Sequence, residues 1–422
     1  MIFLKKYFYG DYGDKEQSAN SFSAGEGRGP HTTWPLWEVF IRSKQLKQID
    51  RTVFILQSAF LVTLISLLYA ASLSRGLEVT SKQLAIFLFP LLLSTTSLNL
   101  RKYSNNLLLG FSLGCSLTVL YLYYDALHII LYNHLPVKSL FSPAFVNHNF
   151  SLTIEMHATY LSMLLVVALT WLLQQLFTRP RQKINTLYIS CSLILMAGLV
   201  QLGSKSALLS FIIIITAGFP WLPLTGRKKT WFLCASIGLL AILAVVIVSV
   251  DVFRNRYITL LKNDLHENVG VSDKSGRLDR WNAAIDLIKK NPLWGTGSGS
   301  EIPLLKDLYF QRKMYGAWLH SLNVHNQYLG LLINAGAVGL LVYLYTLYWG
   351  FRRAIKRKDI LLFAFIVIIA VVSFAEDILD VNKGIFFYAF FFSLLVLSKR
   401  NITGKYISPE RQPTGELNEY IA

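Results

Sequence analysis

Two arginines and a tryptophan recur at helical spacing in a polar stretch of an otherwise apolar chain. The stretch spans residues 251–324 and contains the run Gly276-Arg-Leu-Asp-Arg-Trp281. Arg277 lies four positions before Trp281 and three before Arg280, so a helix places all three close together. A guanidinium near a helix start suits the paired oxygens of a pyrophosphate. The spacing is equally typical of an amphipathic surface helix with solvated arginines, and both interpretations stay open.

A histidine stands where this polar stretch meets the next apolar segment. His325 belongs to the run Asn323-Val-His-Asn-Gln-Tyr-Leu329. A neutral imidazole at this position could take a proton from an attacking hydroxyl, or orient that hydroxyl. The alternative is that His325 and Tyr328 form part of an interfacial belt, because aromatic side chains are enriched at membrane surfaces.

Further polar side chains stand at the ends of other apolar segments. Lys205 lies in Gly203-Ser-Lys-Ser206 and could reach a phosphate as a point charge, or could be a snorkelling lysine in a turn. His157 and Tyr160 begin an apolar segment. Glu376, followed by Asp377 and Asp380, ends another. The acids could balance a basic site, bind acceptor hydroxyls or form a solvated turn.

Two other patterns favour less specific interpretations. The run Gly295-Thr-Gly-Ser-Gly299 lacks the Lys-Ser/Thr that follows in a nucleotide P-loop, so it is interpreted as a flexible turn. The histidines lack a compact ligand pattern: His320 and His325 form only a pair. No metal site is predicted.

The elements that must position these residues are membrane-spanning helices. The chain has 422 residues, 53% hydrophobic and 15% charged, with a mean hydropathy of +0.44. Charge is expensive in hydrocarbon, so this composition predicts a polytopic membrane protein. The net charge of +17 sits mostly in short clusters between apolar runs, which indicates topology signals and lipid contacts and no nucleic-acid binding.

Ten apolar segments predict an all-α protein of about ten transmembrane helices with one long, partly helical loop. Ala126–Tyr132 either extends the third helix or lies flat at the interface. The predicted regions are a tail over 1–52, helices one to seven within 53–250, the loop 251–324, helices eight to ten within 325–398, and a tail over 399–422.

The distribution of positive charge predicts the orientation of these helices. Lys and Arg in the tails and short loops of one side number 25, against 5 in the short loops of the other. Cytoplasmic loops carry the excess, so both termini are expected in the cytoplasm and the 251–324 loop outside. Seven of the eight histidines, all but His31, then fall on the outer side. No ATP is available there, so the energy for a transfer must arrive within the substrate, and a lipid pyrophosphate meets that condition.

Taken together, these motifs resemble those of the O-antigen ligase and O-antigen polymerase superfamily of bacterial envelopes. The resemblance rests on Gly276-Arg277 with Trp281, Asn291-Pro-Leu-Trp-Gly-Thr-Gly297, His325-Asn-Gln-Tyr-Leu329 and Gly336-Ala-Val-Gly-Leu340. His157-Ala-Thr-Tyr160 is similar to the family's His-Pro-x-Tyr element, with Ala158 in place of proline. Lys205 stands where many members have arginine, which keeps the charge but loses the bidentate geometry.

The resemblance implies a GT-C-like inverting glycosyltransferase of the bacterial inner membrane that needs neither metal nor cofactor. Its donor would be a glycan on undecaprenyl pyrophosphate, and its acceptor a hydroxyl of lipid A–core at the periplasmic face. Arg277 would hold pyrophosphate and His325 would activate or position the acceptor. Substrate contacts would come from Lys205, Arg280, His157, Tyr160, Tyr328 and Glu376.

Three alternatives stay open. An O-antigen or exopolysaccharide polymerase and a protein O-oligosaccharyltransferase differ from a ligase only in the acceptor. A polysaccharide flippase belongs to another class. Transporters usually carry ionisable residues or broken helices near the midplane, whereas here such residues gather at one face.

Overall fold

The structure, a computed structural model, describes residues 51–96, 98–178, 184–259 and 276–398. Most of the predicted tail 1–52, the whole tail 399–422 and residues 260–275 of the predicted loop lie outside the described residues. Within the described ranges every regular element is a helix, which confirms the predicted all-α class.

Fourteen helices are labelled here, and short 3-10 turns follow α1 and connect α3 to α4. In chain order the helices are α1 (Arg51–Ser66), α2 (Leu73–Thr95), α3 (Leu100–Tyr132), α4 (Ala158–Thr178), α5 (Asn185–Leu202), α6 (Lys205–Trp221), α7 (Gly226–Ser249), α8 (Asp251–Arg254), α9 (Arg277–Lys290), α10 (Glu301–Gln311), α11 (Tyr315–Leu319), α12 (Gln327–Arg357), α13 (Ile360–Val372) and α14 (Asn382–Leu397).

Ten of these helices, within the part of the chain that the structure describes, correspond to the ten predicted apolar segments. Seven are long and apolar enough to cross a membrane, namely α1 with its following turn, α2 to α5, α7 and α12. The other three, α6, α13 and α14, are shorter apolar helices. The third helix runs without interruption to Tyr132, so the segment Ala126–Tyr132 extends it.

The core of the bundle is formed by the helices that are apolar on all sides. Residues 360–369 of α13 are all buried, and α4 buries most of its length. A helix that is hydrophobic all round is stable only where neighbours or lipid surround it. By contrast, α7 is mostly exposed along its apolar surface, which is the expected state of a peripheral helix facing lipid.

The described part of the 251–324 loop forms a small helical layer with its own core. Ala284 and Leu287 of α9 meet Leu305 and Tyr309 of α10 and Ala317 of α11 in one buried cluster. The predicted helix after Gly276 is confirmed as α9, and it ends at Lys290 before Asn291-Pro292. This layer packs against α12 and therefore holds the loop close to the bundle.

The segment 291–299, which follows α9 and includes the glycine-rich run, supplies hydrogen-bond partners where α12 is broken. Gly336 interrupts the helix with φ 64° and ψ −165°. The run then satisfies the released backbone groups: Thr296 N–H donates to Ile333 O at 2.8 Å and Ala337 N–H donates to Pro292 O at 2.8 Å. A broken helix in an apolar setting needs such partners.

The run 295–299 forms the predicted turn, in which glycine permits close contact between backbones. A Cβ on Gly297 would lie 2.3 Å from Ala70 Cα, and one on Gly336 would lie 2.3 Å from Leu293 O. The glycines thus fix the loop against α12 and the end of α1.

Candidate active site

A cavity of about 750 Å³ opens where three segments meet at one end of the bundle. These segments are the turns between α3 and α4, the residues just before α12, and the turn between α13 and α14. Four predicted site residues line the cavity: His157, Tyr160, His325 and Glu376. Other lining side chains include Lys82, His148, Glu155, Asn323, Asp377, Asp380 and Lys383.

The turn between α13 and α14, which carries Glu376, is fixed by two other helices. Gln83 of α2 donates its side-chain N–H to Leu379 O at 2.9 Å. The Leu379 N–H donates to the side-chain oxygen of Gln327 on α12 at 2.7 Å, and the Gln327 N–H donates to Ser373 O at 2.8 Å. These bonds hold the acidic turn against the start of α12.

His325 and Glu376 face each other across the cavity wall. The His325 Nδ1 lies 3.5 Å from Glu376 Oε2, and the Thr159 hydroxyl donates to Glu376 Oε1 at 3.2 Å. Burial raises the pKa of Glu376, but the hydrogen bond to His325 and the nearby His157 and Arg277 outweigh burial, so its pKa lies below the ordinary value. Glu376 is therefore a carboxylate and can only accept a hydrogen bond. This assigns the proton to His325 Nδ1 and leaves Nε2 as an acceptor.

Arg277 begins α9 and is half-buried, and it is not among the residues that line the cavity. Its positive charge is among the influences that lower the pKa of Glu376. The helix start is stabilised by Asp279, whose carboxylate accepts the Gly276 N–H at 3.1 Å. The structure thus brings Arg277 into the electrostatic neighbourhood of the pair of His325 and Glu376.

Arg280 and Trp281 position the backbone that leads into His325. Arg280 is only 7% exposed, and its guanidinium donates to Asn323 O at 3.1 Å. The Trp281 indole donates to Val324 O at 3.1 Å. Arg280 was predicted to bind substrate, yet the contact observed serves the protein backbone, so we assign it a positioning role.

Two histidines are in ring contact beside the pair of His325 and Glu376, and only one of them was predicted. The rings of His148 and His157 lie 4.0 Å apart between centroids. Their Nδ1 atoms accept N–H groups of the first turn of α4, from Ala158 at 3.4 Å and Thr159 at 3.3 Å. Each Nε2 therefore carries the hydrogen of the neutral ring. His148 was not predicted as a site residue; the signal available was its place in the polar run just before α4.

Desolvation and positive neighbours keep these two imidazoles neutral. The pKa of His148 is lowered to about 4 by desolvation, His157 and Arg256. Desolvation is the largest cause that lowers the pKa of His157. Glu376 acts in the opposite direction, whereas His325 and Arg256 lower this pKa further. Both rings are consequently uncharged hydrogen-bond donors at neutral pH.

Arg256 is a second basic residue that sequence reasoning did not single out. Its Nε donates to Gly203 O at 3.2 Å, two residues before Lys205, and its charge acts on both His148 and His157. Lys205 itself begins α6, is half-buried and is not among the residues that line the cavity. Arg256 therefore contacts the turn before Lys205 and acts electrostatically on two histidines of the cavity wall.

The two predicted tyrosines have different surroundings. Tyr160 lines the cavity, and its buried hydroxyl has no hydrogen-bond partner among the described residues. The Tyr328 hydroxyl donates to Ala370 O at 2.7 Å. Tyr328 is thus turned towards α13, where it joins two helices, and not towards the cavity.

Among the described residues, no group of three or more His, Cys, Asp and Glu has an arrangement that could hold a metal ion.

One segment of the chain matches a known protein family. Residues 190–344 match a family model described as O-Antigen ligase, and no curated protein matches the chain. The matched segment contains Lys205, Arg277 and His325, whereas His157 and Glu376 lie outside it. The match over residues 190–344 supports the predicted resemblance to the O-antigen ligase superfamily.

Proposed function

We propose that this protein transfers a glycan from undecaprenyl pyrophosphate to an acceptor hydroxyl, with lipid A–core as the leading acceptor. The observation that carries this proposal is the pairing of His325 with the ionised Glu376 in a cavity lined by hydrogen-bonding side chains, with Arg277 near enough to lower the pKa of Glu376. The match of residues 190–344 to the O-Antigen ligase family model supports the reaction type.

In the proposed reaction His325 is the general base. An acceptor hydroxyl oxygen attacks the anomeric carbon of the donor glycan, and its proton passes to His325 Nε2. The bond between the anomeric carbon and the pyrophosphate oxygen breaks, and its electron pair leaves on undecaprenyl pyrophosphate. The Glu376 carboxylate stabilises the imidazolium that forms, because opposite charges attract strongly in a partly buried site. Attack opposite the leaving group inverts the anomeric carbon.

The developing charge on pyrophosphate needs fixed positive groups. We assign this role to Arg277, whose planar guanidinium can bind two phosphate oxygens at once. Lys205 follows the Gly203 turn, Arg256 donates a hydrogen bond to Gly203 O, and we assign both the role of supplying further positive charge. Fixed charges aimed at a leaving group lower the activation free energy without reorganisation during the reaction.

The acceptor side of the cavity is built for sugar hydroxyls. The neutral N–H groups of His148 and His157 offer donors, and Glu155, Asn323 and Asp380 offer acceptors. These contacts suit a core glycan, and they also suit the growing glycan of a polymerase. A protein hydroxyl is the third acceptor to compare.

The test uses purified protein in proteoliposomes with undecaprenyl-pyrophosphate-linked glycan and one acceptor at a time. The acceptors are lipid A–core, a second lipid-linked glycan and a Ser/Thr peptide, and products are separated by electrophoresis and mass spectrometry. Transfer to lipid A–core, abolished by His325→Ala, is the expected result. Movement of the donor across the vesicle without bond formation would favour a flippase and contradict the proposal.

Orientation in the membrane is tested separately. We propose that both termini are cytoplasmic and that the cavity opens to the periplasm of a bacterial inner membrane. Single cysteines at exposed Asp307 of α10 and at Arg352 near the end of α12 should react with an impermeant maleimide from opposite sides. If position 307 is labelled only when the reagent is given access to the cytoplasm, the proposed orientation is contradicted.

A further inference from the structure

The backbone on both sides of His325 is held by two buried carboxyl groups from different parts of the fold. The Val324 N–H donates to Glu301 Oε1 at 3.1 Å, and the Asn326 N–H donates to Asp377 Oδ1 at 3.0 Å. His325 itself has a φ of 50°, in the left-handed region that side chains rarely adopt. Two anchors that flank a strained residue fix the direction of its ring.

In each of these carboxyl groups one oxygen accepts a backbone N–H and the second oxygen accepts no hydrogen bond from the described residues. Glu301 is 3% exposed and Asp377 is 2% exposed. Glu301 Oε2 and Asp377 Oδ2 are buried without a hydrogen-bond partner among the described residues. A buried, ionised oxygen without a hydrogen-bond partner is strongly unfavourable, so we expect the pair to retain a proton.

Gly330, in the first turn of α12, makes room for the two side chains to approach each other. A Cβ at this position would lie 2.8 Å from Glu301 Oε2 and 3.5 Å from Asp377 Oδ1. The same neighbourhood holds Asp380 and Glu376 on the acidic turn, and Tyr309 and Arg280 on the helical layer. Lys82 of α2 acts on Asp380. Two cations of the layer act on this group: the Arg280 guanidinium donates to Asn323 O, and Arg277 acts on Glu376.

The electrostatics of the pair follow from this crowding. Burial and Asp380 raise the pKa of Glu301 to about 8. Burial, Glu301 and the other acids raise the pKa of Asp377 well above its ordinary value. Two carboxyl groups that crowd in this way titrate as a pair and retain a proton at pH values where an isolated acid has lost it.

We propose that Glu301 and Asp377 are positioning residues that share a proton and together aim His325 at Glu376. The proposal rests on the proposed function, because it assumes that His325 is the base. The shared proton replaces a repulsion between two carboxylates with a hydrogen bond that joins α10 to the acidic turn. Sequence reasoning identified neither role.

The pH dependence has a definite sign. The pKa values are raised in the folded protein, so the stabilisation is fully present below the pKa of the unfolded chain and is lost as pH rises through about 8. One pH unit above its pKa an acid is about tenfold depleted in its protonated form. We expect kcat to fall about tenfold between pH 7.5 and pH 9.

The decisive variant is Glu301→Gln, compared with Glu301→Ala and with Asp307→Asn as a matched control on the exposed face of α10. The glutamine oxygen still accepts the Val324 N–H, and its amide N–H takes the place of the shared proton. We expect Glu301→Gln to keep kcat within about threefold at pH 7.5 and to remove the fall towards pH 9. Glu301→Ala should lose about 100-fold, since it frees the backbone before His325. Asp307→Asn should match the wild type at every pH.

Two results would overturn the proposal. One is a folded Glu301→Gln protein as impaired as Glu301→Ala, since glutamine would then fail to replace a protonated acid. The other is an unchanged fall in activity between pH 7.5 and 9 in Glu301→Gln. Thermal unfolding at both pH values gives a second readout: the melting temperature of the wild type should drop relative to Glu301→Gln as pH rises. If the wild type transfers no glycan at all, the proposed function fails, while the difference in melting temperature still decides the shared proton.

Discussion

The imidazole of His325 lies 3.5 Å from the carboxylate of Glu376, although 51 positions separate them in the chain. Their backbones are brought together by the hydrogen bonds between the acidic turn and the start of α12. A carboxylate in this position selects the imidazole tautomer that accepts a proton at Nε2. The catalytic proposal depends on this relationship, and it can be tested directly.

Replacing Glu376 with glutamine should lower kcat about 100-fold, because an amide neither selects the tautomer nor stabilises the imidazolium. The KM values for donor and acceptor should change little, since neither substrate is bound by this oxygen in the proposal. Steady-state rates with both substrates varied measure the effect, with Asp307→Asn as the control. Full kcat in Glu376→Gln would remove the general-base pair from the mechanism.

Arg277→Ala should lower kcat/KM for the lipid-linked donor about 100-fold, or roughly 2.7 kcal/mol. Arg277→Lys should lie between Arg277→Ala and the wild type, because lysine keeps the charge but cannot bind two phosphate oxygens in a plane. Arg312→Ala is the matched control, since Arg312 pairs with Asp286 on the surface of the same layer. Equal activity of all three variants would show that Arg277 does not contact the donor.

His148→Phe should raise the KM for the acceptor about tenfold, because it keeps an aromatic ring beside His157 but removes one hydrogen-bond donor. His148→Gln, which keeps a donor, should stay within about threefold of the wild type. The neutral state of His148 also predicts an acceptor KM that is constant from pH 5.5 to 7.5, above its pKa of about 4. A parallel rise in the donor KM would instead indicate a general disturbance of the cavity.

Gly297→Ala should destabilise the protein by roughly 2–4 kcal/mol, since a Cβ would collide with Ala70 and the backbone has a φ of 94°. The melting temperature should fall by several degrees, and transfer should fall with it as the loop separates from α12. Gly110→Ala is the control, because a Cβ on this glycine of α3 meets nothing within 4 Å. A Gly297→Ala protein as stable as Gly110→Ala would contradict the docking role of the run.

Prediction from the sequence succeeded where the signal was local. Apolar runs identified each of the ten hydrophobic helices, and the spacing of Arg277 and Trp281 identified α9. The burial of Arg280 and the direction of Tyr328 were not predicted, because a helical period indicates a shared face but not which neighbour that face meets. The pairing of polar residues at the ends of different helices was not predicted either, because it depends on how the helices pack.

Alone, the sequence determined the class of protein, the number of apolar helices and the resemblance to a family, since hydrophobic length and short motifs are properties of neighbouring residues. Only the tertiary structure decided that Glu301 and Asp377 bind the backbone on either side of His325, that the rings of His148 and His157 are in contact, and that the segment after α9 supplies hydrogen-bond partners at the break at Gly336. Those relationships join residues far apart in the chain, and their energies depend on burial and on distances of a few ångströms. Such quantities exist only after the helices have packed.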